Sequence, residues 1–154
     1  MKRILSAVLA VLLFAALCAC GSKTSDRDID IQALGQALAE SGAFSDTMSQ
    51  LSDDIARRLY DFEEGDAESI VLYAGSGATA EEIFIAKAAG GAVKALEEAC
   101  RERVSEQKSA FQSYLPEEVA KLDAAVFETV GDYVILAVAA DTAAAQAVVD
   151  SYIG

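Results

Sequence analysis

Two blocks of this chain run in the same order, a short apolar stretch, a turn, a second apolar stretch and then a segment of helical periodicity. In the first block Ile70-Val71-Leu72-Tyr73 has the β-branched and aromatic content of a strand, and Gly75-Ser76-Gly77 turns the chain. The next segment, Glu82 to Ala88, is ambiguous, because Ile83-Phe84-Ile85 suits a strand while the surrounding alanines suit a helix. Gly90-Gly91 decides for strand, since each glycine would weaken a continuous helix by about 1 kcal/mol. A long amphipathic helix follows from Ala92 to near Ser113, with Val93, Leu96, Cys100, Val104 and Phe111 inward. Pro116, the only proline, ends it and opens a short helix to Leu122.

In the second block the strands Ala124 to Val130 and Tyr133 to Ala139 flank Gly131-Asp132, a two-residue hairpin signal. Asp141 caps a closing helix to Ile153. Ahead of both blocks, Ile31, Leu34 and Leu38 recur at helical spacing up to Ser41-Gly42. Ser52 then N-caps a short helix with Asp53 and Asp54 in its first turn and Ile55, Leu59 and Tyr60 as apolar contacts. The expected fold is α+β, a two-layer sandwich in which a mainly antiparallel four-stranded sheet carries its helices on one face (ββα–ββα), preceded by two N-terminal helices. The likeness of EEIFIAKAAGGAVKALEEA to DYVILAVAADTAAAQAVVDSY leaves two readings open, an internal duplication or a chance match of alanine-rich segments.

The N-terminus is built differently. Lys2 and Arg3 precede the uncharged apolar run Ile4 to Ala19, the layout of a secretory signal. That run is shorter than the 20 or so apolar residues needed to span a bilayer. It ends in Leu17-Cys18-Ala19-Cys20, which resembles the lipobox of bacterial lipoproteins: Leu, a tolerant position, a small residue, then the cysteine that becomes the new N-terminus. Cys18 fits that role worse, because Leu17 would occupy the small-residue position. The resemblance implies a covalent diacylglycerol lipid on Cys20, whose two acyl chains would contribute on the order of 20 kcal/mol of membrane attachment. The uncharged Gly21 after it suits retention on the extracytoplasmic side of the cell membrane. Residues 1–19 are then a signal peptide, and residues 20–30 a lipidated cysteine with a polar tether. Residues 31–154 form a single globular domain.

Charge and cysteine content narrow the partners. The chain of 154 residues carries 25 acidic and 12 basic residues, and losing Lys2 and Arg3 leaves 10 basic residues and a net charge of −15. Nucleic acid is a poor partner for such a surface, which lacks clustered Lys or Arg. An anionic leaflet would repel it too, so membrane attachment is expected through the lipid alone. With Cys18 removed and Cys20 alkylated, Cys100 is the one remaining thiol, and its register on the long helix reads as buried and inert.

Little catalytic equipment is visible. The chain has no histidine, which removes the commonest general base, the Ser-His and Cys-His nucleophile pairs and most zinc or copper sites. Ser105 and Lys108 lie three apart on a charged helix face and read as surface residues. The adjacent pairs Glu81-Glu82, Glu97-Glu98 and Glu117-Glu118 should diverge, as neighbours on a helix or strand do. No metal site is expected, and the only candidates are Asp61, Glu63, Glu64 and Asp66. Their oxygen ligands suit Ca²⁺, but Gly65 falls one place early for an EF-hand loop and the twelfth position is Leu72.

Over most of Leu51 to Gly154 the chain also resembles a group of small lipoproteins of Gram-positive gut-type bacteria that carry an uncharacterised C-terminal domain. YDFEEGD, GATAEEI, YLPEEV and GDYVIL carry the likeness. The expected function is a membrane-anchored extracytoplasmic binding or scaffolding module, its partner an unknown envelope protein or wall component. Two alternatives stand beside it. A histidine-free or cation-dependent envelope hydrolase would gather carboxylates from distant segments into one pocket, and a structural subunit would leave an apolar patch on the sheet face that helices do not cover.

Overall fold

The computed structural model describes residues 28–154; the signal segment, Leu17, Cys18, Ala19, Cys20 and most of the tether lie outside them. Helix α1 (Ile31–Glu40) is followed by β1 (Ser49–Leu51), α2 (Asp53–Tyr60), a single 3₁₀ turn (Glu64–Asp66) and the hairpin β2 (Ala67–Ala74) and β3 (Glu82–Ala88). Then come α3 (Val93–Phe111), α4 (Pro116–Asp123), the hairpin β4 (Val126–Val130) and β5 (Tyr133–Val138), and α5 (Thr142–Ile153). The Asp30 carboxylate caps α1 by accepting from the Ala33 N–H at 2.9 Å, and Asp141 caps α5 through the Ala144 N–H at 3.0 Å. Among the described residues no helix is long and apolar enough to cross a membrane.

The fold is α+β, with five antiparallel strands in one open sheet of order β1-β2-β3-β5-β4. This corrects the expected four strands: Ser49-Gln50-Leu51 adds a three-residue edge to β2, with no β-branched residue to announce it. The expected placement of helices on one face is corrected too. Alternate residues of the central strands feed two separate cores. Ile70, Leu72, Phe84 and Leu136 pack beneath α2, α3 and α4, whereas Val71, Ile83, Ile85 and Ile135 pack beneath α1 and α5. The molecule therefore has three layers. All six residues of β5 are buried, as are all of β3 except Lys87, the continuous apolar pattern of strands covered on both sides.

Helix α1 lies close on the sheet at Gly35, where a Cβ would stand 2.5 Å from Val71 Cγ1. Within α2 the inward stripe is Ala56 and Tyr60; Ile55, expected inside, is exposed. Ile55 and Tyr114 are the only large exposed hydrophobics among the described residues, and neither sheet face is left bare as a structural-subunit reading would require.

The two hairpin-helix blocks are not copies related by rotation. Where β3 runs antiparallel to β5 at the centre of β2-β3-β5-β4, the axis exchanging the hairpins stands perpendicular to the sheet and keeps both helices on one face. Here α3 and α5 lie on opposite faces, and the residues matched in sequence, Phe84 with Ile135 and Ile83 with Val134, point to opposite cores. The packed unit also begins before Ile31. Ile29 is buried, its N–H donates to the Tyr133 hydroxyl at 3.2 Å, and that hydroxyl donates to Asp28 at 2.8 Å. The chain enters the fold beside the start of β5, and both cores are closed by residues from Ile29 onward.

Candidate functional site

Two buried ionic clusters lock the end of the sheet where β3 begins. Glu81 leaves the strand and is wholly enclosed; it accepts the backbone N–H groups of Ser45 at 2.8 Å and Asp46 at 2.9 Å, the Ser45 hydroxyl, and the Lys121 ammonium at 2.8 Å. The same ammonium reaches Glu118 at 2.9 Å, and Glu118 accepts the Ala80 N–H at 2.9 Å. Burial pushes the Glu81 carboxyl up, but the bonds from Lys121, Ser45 and Asp46 outweigh it, and the group stays below its ordinary range. Burial likewise works against the Lys121 charge, and Glu118 and Glu81 together hold its pKa above the usual value.

Next to it Glu82 turns to the opposite side of the strand. It accepts two bonds from the Arg103 guanidinium, at 3.1 and 2.7 Å, and one from the Tyr60 hydroxyl at 2.7 Å. The Tyr60 ring stacks on Phe84 with centroids 4.1 Å apart. Burial, and after it the charge of Glu82, holds the Tyr60 phenol well above its ordinary pKa. Burial opposes the Arg103 charge, but Glu82 more than compensates and its pKa is raised. The convergence of Glu81 with Glu118 was not expected from sequence. Its one local signal is the Glu118–Lys121 spacing of three, which puts both on one side of α4. The other adjacent pairs diverge as expected: Glu97 accepts from Thr129 Oγ1 at 2.6 Å, Glu98 faces a different hollow, and Glu117 is exposed.

Two concavities flank α3. The larger, a groove of about 360 Å³, opens between α3 and the β4–β5 hairpin. Its floor is apolar, from Cys100, Val104, Leu122, Phe127 and Leu136, and its α3 rim carries Arg101, Ser105 and Lys108. Ser105 and Lys108, read from sequence as bland surface residues, thus border the larger of these two concavities. Burial, then the nearby Glu82 charge, drives the Cys100 thiol far above its ordinary pKa, so the floor is neutral. Arg101 lies over the Phe127 ring at 5.1 Å and pairs with Glu97 at 3.6 Å, while Lys108 pairs with Asp123 at 2.7 Å.

The smaller hollow, about 330 Å³, lies on the other flank of α3. Asp61, Glu63 and Asp66 line it with Lys94, Glu98 and Glu102. Three of the four calcium candidates therefore share a concavity, and Glu64 is not among its lining residues. Glu63 and Asp66 are tied to each other's backbone as a capping box around the 3₁₀ turn, with the Glu63 N–H donating to Asp66 at 3.1 Å. Among the described residues no three carboxylate or cysteine side chains are placed to hold a metal ion.

A family model described as a domain of unknown function (DUF4358) matches residues 40–139, which spans both ionic clusters and both concavities. The chain belongs to that family. In this DUF4358 domain the matched region runs from the end of α1 to the residue after β5, leaving α5 and most of α1 beyond its limits. Neither the curated proteins nor the solved structures contain a significant match to the chain.

Proposed function

We propose that this DUF4358 protein is a lipid-anchored extracytoplasmic binding module, held to the cell membrane by a diacylglycerol on Cys20 and presenting the groove between α3 and the β4–β5 hairpin as its binding surface. The observation that carries the binding reading is the groove itself. It is the larger of the two concavities flanking α3, apolar below and cationic along one rim, and buried ionic clusters fix α3 and α4 beside it to the start of β3. Glu81, Glu82 and Glu118 are fully engaged in those ties and do not reach either hollow.

The anchoring reading is supported by Leu17-Cys18-Ala19-Cys20 and by the place where the chain enters the fold. From Cys20 to Asp28 the chain spans at most about 28 Å, which keeps Asp28 and the neighbouring Tyr133 within that distance of the lipid-bearing residue. The groove sits further along the strands, towards Leu136. We place the protein among the lipoproteins of Gram-positive gut-type bacteria on the motifs that it shares with them.

Metabolic labelling with an alkyne fatty acid tests the anchor. Wild-type protein should be labelled and sediment with membranes, and Cys20→Ser should do neither; equal labelling or equal sedimentation would overturn it. Ala125→Trp, which fills the groove from its half-exposed rim, should abolish capture of envelope material by the anchored protein. Undiminished capture would remove the groove from the account.

The second reading, a histidine-free hydrolase working through acidic residues, draws on the hollow where Asp61 and Asp66 meet Glu98 and Glu102 from a distant segment. It requires that Glu98→Gln with Glu102→Gln abolish an envelope-hydrolysing activity that the wild type possesses.

A further inference from the structure

We infer that the groove between α3 and the β4–β5 hairpin binds a single-chain anionic amphiphile, a carboxylate with an acyl tail, as the ligand of the binding module proposed above. Arg101, Ser105 and Lys108 stand at positions i, i+4 and i+7 of α3, which places a guanidinium, a hydroxyl and an ammonium along one stripe about 10 Å long. Directly beneath that stripe lie Cys100 and Val104, with Leu122 and Phe127 across from them. Anion-binding groups and apolar surface therefore adjoin along the length of the groove, the arrangement that a charged head with a hydrocarbon tail requires.

Charge sorting between the two hollows supports the sign of the ligand. None of the residues lining the groove is acidic, in a chain with 25 acidic and 12 basic residues, whereas the hollow on the other flank of α3 gathers Asp61, Glu63, Asp66, Glu98 and Glu102. The rim cations have protein partners, Glu97 for Arg101 and Asp123 for Lys108. One side chain of each pair is well exposed, Arg101 at 62% and Asp123 at 63%, and ion pairs open to solvent on one side are held weakly, so a ligand carboxylate can compete for the cations. The Arg101 guanidinium offers that carboxylate a two-pronged donor, while its stacking on Phe127 keeps it over the apolar wall. A hollow of about 360 Å³ is within the range of small-molecule sites, roughly 300–1,000 Å³.

The test is a titration of the ¹⁵N-labelled chain from Gly21 onward, which contains both closed cores, with dodecanoate kept below its micelle-forming concentration. Amide signals of Arg101 to Lys108 and Ala125 to Phe127 should shift saturably. Arg101→Glu with Lys108→Glu should weaken binding at least tenfold, and dodecyltrimethylammonium should give no saturable shift at those positions. Arg101→Gln with Lys108→Gln serves if the charge-reversed protein loses its dispersed spectrum. No groove shift with dodecanoate, equal binding by the variant, or equal shifts from the cationic amphiphile would each overturn the inference. Shifts produced by phosphatidylglycerol vesicles and not by dodecanoate would do so too, by assigning the rim to a lipid surface. The binding-module reading is judged separately, because it stands or falls with capture by Ala125→Trp.

Discussion

Replacing Lys121 by methionine tests the ionic cluster that ties α4 to the start of β3. The lysine side chain is 19% exposed, while Glu81 and Glu118, which share it, are 0% and 8% exposed. Removing the cation leaves two enclosed carboxylates facing one another. Breaking a buried ion pair from one side costs about 3–5 kcal/mol, and the residual hydrogen bonds to Glu81 and Glu118, with the partial exposure of Lys121, place this variant near about 3 kcal/mol. For a domain of about 130 residues that is a fall in Tm of roughly 10 °C.

The pH dependence is specific to this cause. In the wild type Glu81 titrates below its ordinary 4.5, so its contribution is complete above that pH and is lost as the pH falls through the folded value. Without Lys121 the effect of burial dominates and the folded pKa rises above 4.5. The penalty of the variant is then largest at pH 7 and shrinks as the pH falls towards 4.5. Urea unfolding of Lys121→Met and wild type at pH 7 and 4.5 measures both quantities. Glu81→Gln combined with Lys121→Met should recover part of the loss at pH 7. A deficit under about 1 kcal/mol, well short of the 3–5 kcal/mol of a broken buried pair, or one that does not change with pH, would refute the reasoning.

Three further outcomes follow from named contacts. Gly35→Ala should destabilise by about 1–3 kcal/mol in urea unfolding, because the new methyl meets Val71 Cγ1 and must push α1 off the sheet. The Asp46 carboxyl, held chiefly by the hydroxyl and backbone N–H of Ser76 and then by Thr47 and Thr79, should titrate at about 2 by NMR, and Ser76→Ala should move it back towards 3.8. Its contribution is therefore complete above pH 3.8 and is lost only below it. The Cys100 thiol, enclosed and held protonated by burial, should react with iodoacetamide at pH 8 at least a hundredfold more slowly in the native chain than in guanidinium chloride.

Local punctuation makes most elements legible in the sequence. Gly90 and Gly91 adopt φ of +53° and +90° at the junction between β3 and α3, conformations that rule out a helix running on from Glu82 to Ala88, and Gly131 adopts +60° in the β4–β5 turn. Pro116 opens α4, and β3 has the expected bounds of Glu82–Ala88. What escaped was information carried by partners. Strand β1 exists because β2 offers an edge to Ser49-Gln50-Leu51, a segment with no strand character of its own. The second helical layer was in fact written in YVILAV and IFIA, whose unbroken apolar runs suit strands covered on both sides. The Glu81–Lys121 bond joins residues 40 apart, and the groove joins α3 to a hairpin that follows it in sequence. Neither spacing obeys a local period. Cys20, by contrast, rests wholly on a local pattern.

Photo-crosslinking from the groove of the membrane-anchored protein tests the binding account most directly. A diazirine side chain at Ser105, on the groove rim, should yield a discrete adduct in intact cells, and that adduct should disappear when Ala125→Trp fills the groove. The same group at exposed Glu68, on another part of the surface, should yield none. No adduct at residue 105, or the same adduct from residue 68, would contradict the account.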